Sequence, residues 1–197
     1  RLPAPAEWVC RRRIRVKDAV DPIWWFAKTS YPKADNKRVL QPYSRDMLRI
    51  INGRKAYKPG LRPSGHKITP WFAKSGAEGS IPPNIIIASN TNSKDRYIEL
   101  CRKCGLQPHP ARYPPEIPEF FIRFLTEPGD LVLDPFAGSN TTGWVAERLG
   151  RRWLAFELRE EYLRSSMLRF ERGEITEGLE KYPEPSSRFN TSTSSGG

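Results

Sequence analysis

Leu131-Val132-Leu133-Asp134-Pro135-Phe136-Ala137-Gly138-Ser139-Asn140-Thr141-Thr142 runs from an apolar triplet through a polar, glycine-bearing turn, and the fold class turns on it. Three consecutive apolar residues have the pattern of a short buried strand, and the turn after them leads into a helix predicted over 140–149. Trp153-Leu154-Ala155-Phe156 predicts a second strand, and 159–170 a second helix. Strands alternating with helices imply a parallel sheet, with the ligand site at the carboxyl ends of the strands. The turn occupies that place. Gly138 lets a bound group approach the backbone closely, Ser139, Asn140 or Thr141 can cap the helix, and Asp134 can meet a cationic or hydroxyl-bearing ligand. A Gly-Ser turn alone would be explained by capping. Glu157, however, follows the second strand 19 residues after Gly138. An acidic residue at about that distance is placed to accept the two ribose hydroxyls of an adenosine. Pro135, Phe136 and Ala137 complete the turn, which lacks the GxGxxG spacing of nicotinamide-binding proteins.

Upstream of the turn, Pro128-Gly129 breaks the chain. A helix near 116–126 would present Ile117, Phe120, Phe121, Phe124 and Leu125 as one apolar face. A helix is predicted over 93–104 with Ser93 as its cap and Gly105 as its end, and Ile85-Ile86-Ile87 predicts a buried strand. From 30 to 83 periodicity fades while Pro, Gly, Lys, Arg and aromatics (Tyr31, Tyr43, Tyr57, Trp71, Phe72) accumulate. So long an irregular stretch points to a functional or partner-ordered insertion. Residues 7–29 read as strand-like, with Trp8, Val9, Ile14 and Val16 followed by the cluster Trp24-Trp25-Phe26. Beyond Gly173 the composition is that of a disordered tail, 173–197.

Charge is divided as sharply as pattern. Residues 1–75 hold 18 Lys/Arg against 5 Asp/Glu, a balance of +13, and the remainder holds 15 against 17, a balance of −2. A polyanion-facing segment joined to an ordinary globular core has this distribution. Arg38, Arg45, Arg54, Lys55, Lys58, Arg62 and Lys67 are the candidate phosphate contacts, and a solvated basic face is the plainer alternative. No apolar run reaches the length of a membrane span and the N-terminus has no secretory pattern, so a cytoplasmic protein is expected. The three cysteines are then expected to be free thiols. Cys101 and Cys104 form a CxxC whose plain reading puts both on one side of a helix. Zinc there would need ligands as distant as Cys10 or His66, and no metal is expected.

The run DLVLDPFAGSNTTGWVAERLGRRWLAFELREEYLRSSMLRF, preceded by HPARYPPEIPEFFIRFLTEPG, resembles the cofactor region of amino-methylating DNA methyltransferases of restriction-modification systems. Within that family it is most similar to the cytosine-N4-specific branch, whose turn reads GSNTT where GSGTT is commoner. The likeness is dense over about 84–170 and looser over 8–40. It implies a Rossmann-like S-adenosylmethionine-dependent methyltransferase fold of the α/β class, with an incomplete parallel sheet and a basic irregular insertion. It also implies that His109, Pro110 and Ala111 flank the methionine end of S-adenosylmethionine, that the Asp134–Ser139 turn contacts the same moiety, and that Glu157 binds the ribose.

The family's permuted motif order places the catalytic half and the recognition region ahead of the cofactor motifs. On that order 1–29 would be the end of the catalytic half, 30–83 the DNA target-recognition region and 84–172 the cofactor-binding α/β region. Double-stranded DNA in a bacterial or archaeal nucleoid is the implied partner. Methyl transfer in the family occurs at a Ser/Asp/Asn-Pro-Pro-aromatic tetrapeptide. Ile81-Pro82-Pro83-Asn84 and Tyr113-Pro114-Pro115-Glu116 do not fit it, and Asp21-Pro22-Ile23-Trp24 lacks the second proline. No catalytic residue is therefore assigned. With a first residue of Arg1, the reading is a fragment or split subunit needing an N-terminal catalytic half. Adenine-N6 methylation and a non-catalytic DNA-binding subunit that keeps the cofactor scaffold are the alternatives.

Overall fold

The computed structural model describes residues 7–16, 20–56, 58–65, 67–68, 78–89 and 95–171. It divides into two units, Arg1–Pro32 and Lys33–Gly197. In the first, the expected strand does not form among the described residues: Glu7–Arg11 makes a single π-helical turn and the rest have no regular structure. The contacts there are local. The guanidinium groups of Arg12 and Arg15 lie 4.9 and 5.8 Å from the centroid of the Trp8 ring, and Arg13 takes a positive φ of 54°. These cation–π contacts are local and supply none of the backbone hydrogen bonds that a strand partner would. Ile23, Trp24, Trp25 and Phe26 remain exposed.

The second unit begins with a 3-10 turn, Asn36–Val39, whose cap Asp35 accepts from the Lys37 N–H. Helix α1, Arg45–Ile51, has no counterpart in the sequence periodicity. Ser44 starts it by accepting from the Met47 N–H, and none of its residues is buried. A two-residue antiparallel pair follows, β1 (Gly60–Leu61) with β2 (Lys67–Ile68). Ile85–Ile87 forms no strand; Ile85 and Ile87 are exposed and no ladder partner faces them among the described residues.

Helix α2, Arg96–Lys103, is capped by Asp95 rather than Ser93, which lies outside the described residues. Gly105 ends it at φ +66° as expected. The two CxxC sulfurs part company: Cys101 is buried against Tyr97, Ile98 and Leu168, whereas Cys104, at the helix cap, is exposed. Helix α3, Glu116–Leu125, also turns differently from its apolar pattern. Its buried positions are Pro118, Glu119, Ile122 and Arg123, with a Glu119–Arg123 ion pair at 3.0 Å. Ile117, Phe121 and Leu125 instead line an open cavity of about 350 Å³ together with Tyr113, Leu131 and Thr142.

The βαβα unit forms as the pattern requires. Strand β3 (Leu131–Asp134), helix α4 (Thr141–Arg148), strand β4 (Arg152–Ala155) and helix α5 (Glu160–Met167) follow in order, with a 3-10 turn at Leu168–Phe170. β3 and β4 pair in parallel, Leu131 opposite Arg152 and Asp134 opposite Ala155. Alternation puts Val132 and Trp153 against the cluster Ile122, Val145, Ala146 and Leu149. The other face is largely uncovered among the described residues: Leu131, Leu133, Leu154 and Phe156 are 47% to 58% exposed. Parallel sheets are normally covered on both faces. The 173–197 tail lies outside the described residues.

Candidate functional site

Three stretches widely separated in sequence converge on Gly138. The turn leaves β3 through Asp134, whose Oδ1 accepts from the Phe136 N–H at 3.0 Å and whose Oδ2 accepts from the Thr142 hydroxyl at 2.6 Å. The Tyr113 hydroxyl donates to the same Oδ2 at 3.4 Å and meets Thr142 as well. Burial of that hydroxyl, reinforced by the neighbouring carboxylate, pushes the Tyr113 phenol above its ordinary value, while the Thr142 hydrogen bond opposes the rise. Asp134, expected as a ligand contact, thus also builds the turn; a carboxylate has about four lone-pair positions, so some acceptor capacity remains.

Gly138 sits at φ +52°, a region costly for residues with a Cβ. A Cβ there would lie 3.2 Å from the His109 ring, so the close approach that this glycine permits is first of all to an imidazole of the same chain. The His109 Nδ1 is 2.6 Å from the Ala111 carbonyl oxygen. A carbonyl only accepts, so Nδ1 carries a proton, and in the neutral ring Nε2 is the acceptor. The ring also meets Tyr162 edge-on at 4.5 Å, and Arg112 donates to the His109 carbonyl at 2.6 Å. Glu157 completes the cluster: its Oε2 accepts from the Gly138 N–H and its Oε1 from the Arg159 N–H, both at 2.9 Å. Held at two points, the carboxylate keeps a lone pair on each oxygen for further donors.

The remaining turn residues divide between surface and interior. Pro135 and Phe136 are exposed, with Phe136 at 89%, and Pro110 and Ala111 are exposed beside His109. Ala137 is buried, its N–H donating to the Phe156 carbonyl at 2.9 Å, which extends the β3–β4 register into the turn. Ser139 is buried, its hydroxyl 3.1 Å from that of Thr141 and its carbonyl bonded to Arg169, so its side chain supports the turn from behind. Asn140 takes φ +53° and caps α4 by accepting from the Gly143 N–H at 3.0 Å. Asparagine tolerates this conformation better than most residues. The Asn of GSNTT, like the Gly of GSGTT, is thus explained by backbone geometry.

Six of the seven basic candidates lie where a polyanion could reach them. Arg45 begins α1, Arg54, Lys55 and Lys58 lie in the segment after it, and Arg62 and Lys67 are on the β1–β2 hairpin; all six are exposed. Lys55 also pairs with Asp46 at 3.3 Å. Arg38 differs: it donates to the Lys33 and Thr126 carbonyls at 3.1 and 3.2 Å and to Glu127 at 2.8 Å. Its guanidinium braces the 3-10 turn against the end of α3. Sequence gives a charge but not its partners, and the carbonyls at 33 and 126 decide this one. No group of three or more possible metal-ligating side chains occurs among the described residues. Nor is any described helix long and apolar enough to cross a membrane.

A parallel βαβ unit thus brings together, at the ends of β3 and β4, a glycine turn, an acidic residue after the second strand and an imidazole packed on the glycine. The comparisons with known proteins make the class specific. Residues 4–168 match the family described as DNA methylase, and the chain belongs to that family. It is 52% identical over 178 residues to the type II methyltransferase M.PvuII of Proteus hauseri, covering 90% of this chain and 53% of that protein. The chain thus spans about half the length of this relative. A shorter match, 41% over 63 residues, is to the DNA adenine methyltransferase YhdJ of Escherichia coli (strain K12), covering 32% of this chain and 21% of that protein. Among solved structures, the PvuII DNA methyltransferase (cytosine-N4-specific) superposes with a TM-score of 0.63 at 43% identity, covering 89% of this chain and 49% of that one. The fold is the Rossmann-like α/β fold of these methyltransferases.

Proposed function

We propose that this chain is the cofactor-binding part of a DNA methyltransferase that moves a methyl group from S-adenosylmethionine to an exocyclic amino group in duplex DNA, N4 of cytosine. The observation that carries the reading is the convergence of His109, the Asp134–Ser139 turn and Glu157 on Gly138. The residues suit the cofactor. Glu157 keeps acceptor capacity for the two ribose hydroxyls, while Asp134 and the Nε2 of His109 are acceptors for the ammonium end of the methionine moiety. Bound there, S-adenosylmethionine supplies an activated methyl on a sulfonium centre. The chain's own part is to bind and orient: Glu157 fixes the sugar and is itself fixed by two backbone N–H groups, which limits the entropy lost on binding.

The acceptor side comes from outside these 197 residues. We place the half that carries the Pro-Pro-aromatic tetrapeptide on the bare face of β3 and β4 and on the cavity beside Tyr113. Covering both would complete the sheet and close the cleft from the Asp134 end. The exposed cations of α1, the following segment and the β1–β2 hairpin face DNA, Arg38 excepted. Such an enzyme works in the bacterial or archaeal cytoplasm, where its DNA is. The cytosine assignment follows the solved cytosine-N4-specific structure at 43% identity rather than Asn140, whose side chain caps a helix. The adenine alternative is favoured only by the shorter match.

Tritiated methyl incorporation into duplex DNA tests the proposal, measured with the chain alone and with the chain co-expressed with an N-terminal half bearing a Ser-Pro-Pro-aromatic motif. Incorporation by the pair and none by the chain alone is expected, with N4-methylcytosine after digestion to nucleosides. Turnover by the chain alone would overturn the division of labour. No incorporation by the co-purified pair would support a non-catalytic subunit.

A further inference from the structure

Arg169 lies 30 residues beyond the turn, in the 3-10 segment after α5, yet its side chain is buried against the turn. Its Nε donates to the Ser139 carbonyl at 2.7 Å, and its Nη2 to the Ser139 hydroxyl at 3.2 Å and to Asp95 Oδ2 at 3.3 Å. The carbonyl of Ser139 precedes the α4 ladder, because the Gly143 N–H that would otherwise reach it is taken by Asn140 Oδ1. Arg169 supplies the replacement donor. Its guanidinium also lies 4.4 Å from the centroid of the Tyr97 ring, and the Tyr97 hydroxyl accepts from the His109 N–H at 3.0 Å while bonding Ser165 at 2.9 Å. One tyrosine therefore touches both halves of the site: its face carries the arginine that holds the turn, and its hydroxyl holds the backbone of His109. A buried cation needs a paired anion to be tolerated, and Asp95 is that anion while also capping α2 through Tyr97 N–H.

We propose that Arg169 and Tyr97 are positioning residues of the cofactor site, a bracket behind it that sets the separation between the His109–Ala111 segment and the Asp134–Ser139 turn. The inference rests on the functional reading above for the identity of the ligand, but the bracket itself is a statement about this chain. A 1 Å displacement of a binding constellation is enough to lose most of its affinity. R169K can keep one donor and the charge, R169Q keeps neither the charge nor the fork, and Y97F keeps the ring under Arg169 while removing the hydroxyl that accepts from His109 and bonds Ser165.

Hydrogen–deuterium exchange on the full chain, read by peptide for wild type, R169K, R169Q and Y97F, tests it. R169Q is expected to raise exchange about tenfold over 136–143 and leave α3 protected, equivalent to ~1.4 kcal/mol of local opening. R169K should recover part of the protection. Y97F should raise exchange in the segment around His109 more than in the turn. The affinity for S-adenosylmethionine, read by titration, should fall about tenfold in R169Q and less in R169K. A uniform rise across the chain in R169K and Y97F, or an unchanged turn in folded R169Q, would overturn the bracket. If R169Q does not fold, R169K and Y97F decide by the same criterion. Wild type that binds no S-adenosylmethionine would count against the ligand's identity, while the exchange pattern would still decide the bracket.

Discussion

Gly143 lies inside α4, where exchanging glycine for alanine ordinarily stabilises a protein by about 1 kcal/mol. Here the opposite sign is expected. A Cβ on Gly143 would fall onto Asn140 Oδ1 and lie 2.9 Å from its Cγ and Nδ2, so the Asn140 side chain would have to leave the cap it makes. Losing an N-cap costs about 1 kcal/mol, and Asn140 is 4% exposed, so an amide forced out of place has no water to turn to and costs about 1–3 kcal/mol more. Set against the propensity gain, G143A should destabilise the fold by about 1–3 kcal/mol, a fall in Tm of roughly 2–12 °C for a chain of this size. The cycle with N140G isolates the cause. Glycine adopts φ +53° freely and has nothing to displace, so G143A made on N140G should raise Tm. Calorimetry on the four proteins measures the coupling. A higher Tm for G143A in the wild-type background, or the same shift in both backgrounds, would refute this explanation of why GSNTT is followed by glycine.

At the site itself, G138A should weaken cofactor binding about tenfold in titration calorimetry, since it adds left-handed strain of about 1–2 kcal/mol and pushes on His109; unchanged affinity would mean that the imidazole contact is incidental. Glu119 offers a pH test. Burial raises its carboxyl above the ordinary value of 4.5, against the hydrogen bond and charge of Arg123. A raised value in the folded state means that its contribution to stability is complete below pH 4.5 and is lost as pH climbs through the folded value. The Tm of E119Q relative to wild type should therefore increase from pH 4.5 upward, and a constant difference across pH would contradict the burial argument. Replacing Arg54, Lys58 and Arg62 together with alanine should weaken DNA retention alike on all sequences and reduce the salt slope by about 0.9 for each phosphate no longer neutralised. R38A, by contrast, should lower Tm and leave that slope unchanged.

The parts of the fold legible in the sequence are those whose partners are close by. The βαβα run is readable because alternation, a glycine turn and an acidic residue at a set distance all act within about 40 residues, and β3, α4, β4 and α5 lie within a few residues of their expected bounds. The strands expected near Trp8 and at Ile85–Ile87 fail for a shared reason: an apolar run specifies a strand only when a neighbour pairs with it. Around Trp8 two arginines lie over the ring, and no strand partner faces it among the described residues. The apolar stripe of α3 is legible, but not its environment. Ile117, Phe121 and Leu125 line a cavity, while a Glu119–Arg123 pair takes the buried side. Helix α1 carries a signal in Ser44 and Asp46 that its basic, aperiodic surroundings obscure. At the site, His109, the turn and Glu157 are nameable from sequence, but that they meet at one glycine is not, and neither are Arg169 and Tyr97. Their partners lie 30 and 12 residues away, at separations with no local periodicity.

If S-adenosylmethionine binds where the His109 segment, the Asp134–Ser139 turn and Glu157 converge, the backbone amides of those segments must sense it. Titrating the cofactor to millimolar concentration into the isotopically labelled chain, and following its amide resonances, tests this directly, because even weak binding is visible at that concentration. The largest shifts are expected at Phe136–Gly143, at Glu157–Arg159 and at His109 and Ala111, with E157A abolishing them. Shifts confined to 45–62, or none at the turn at saturating cofactor, would contradict it.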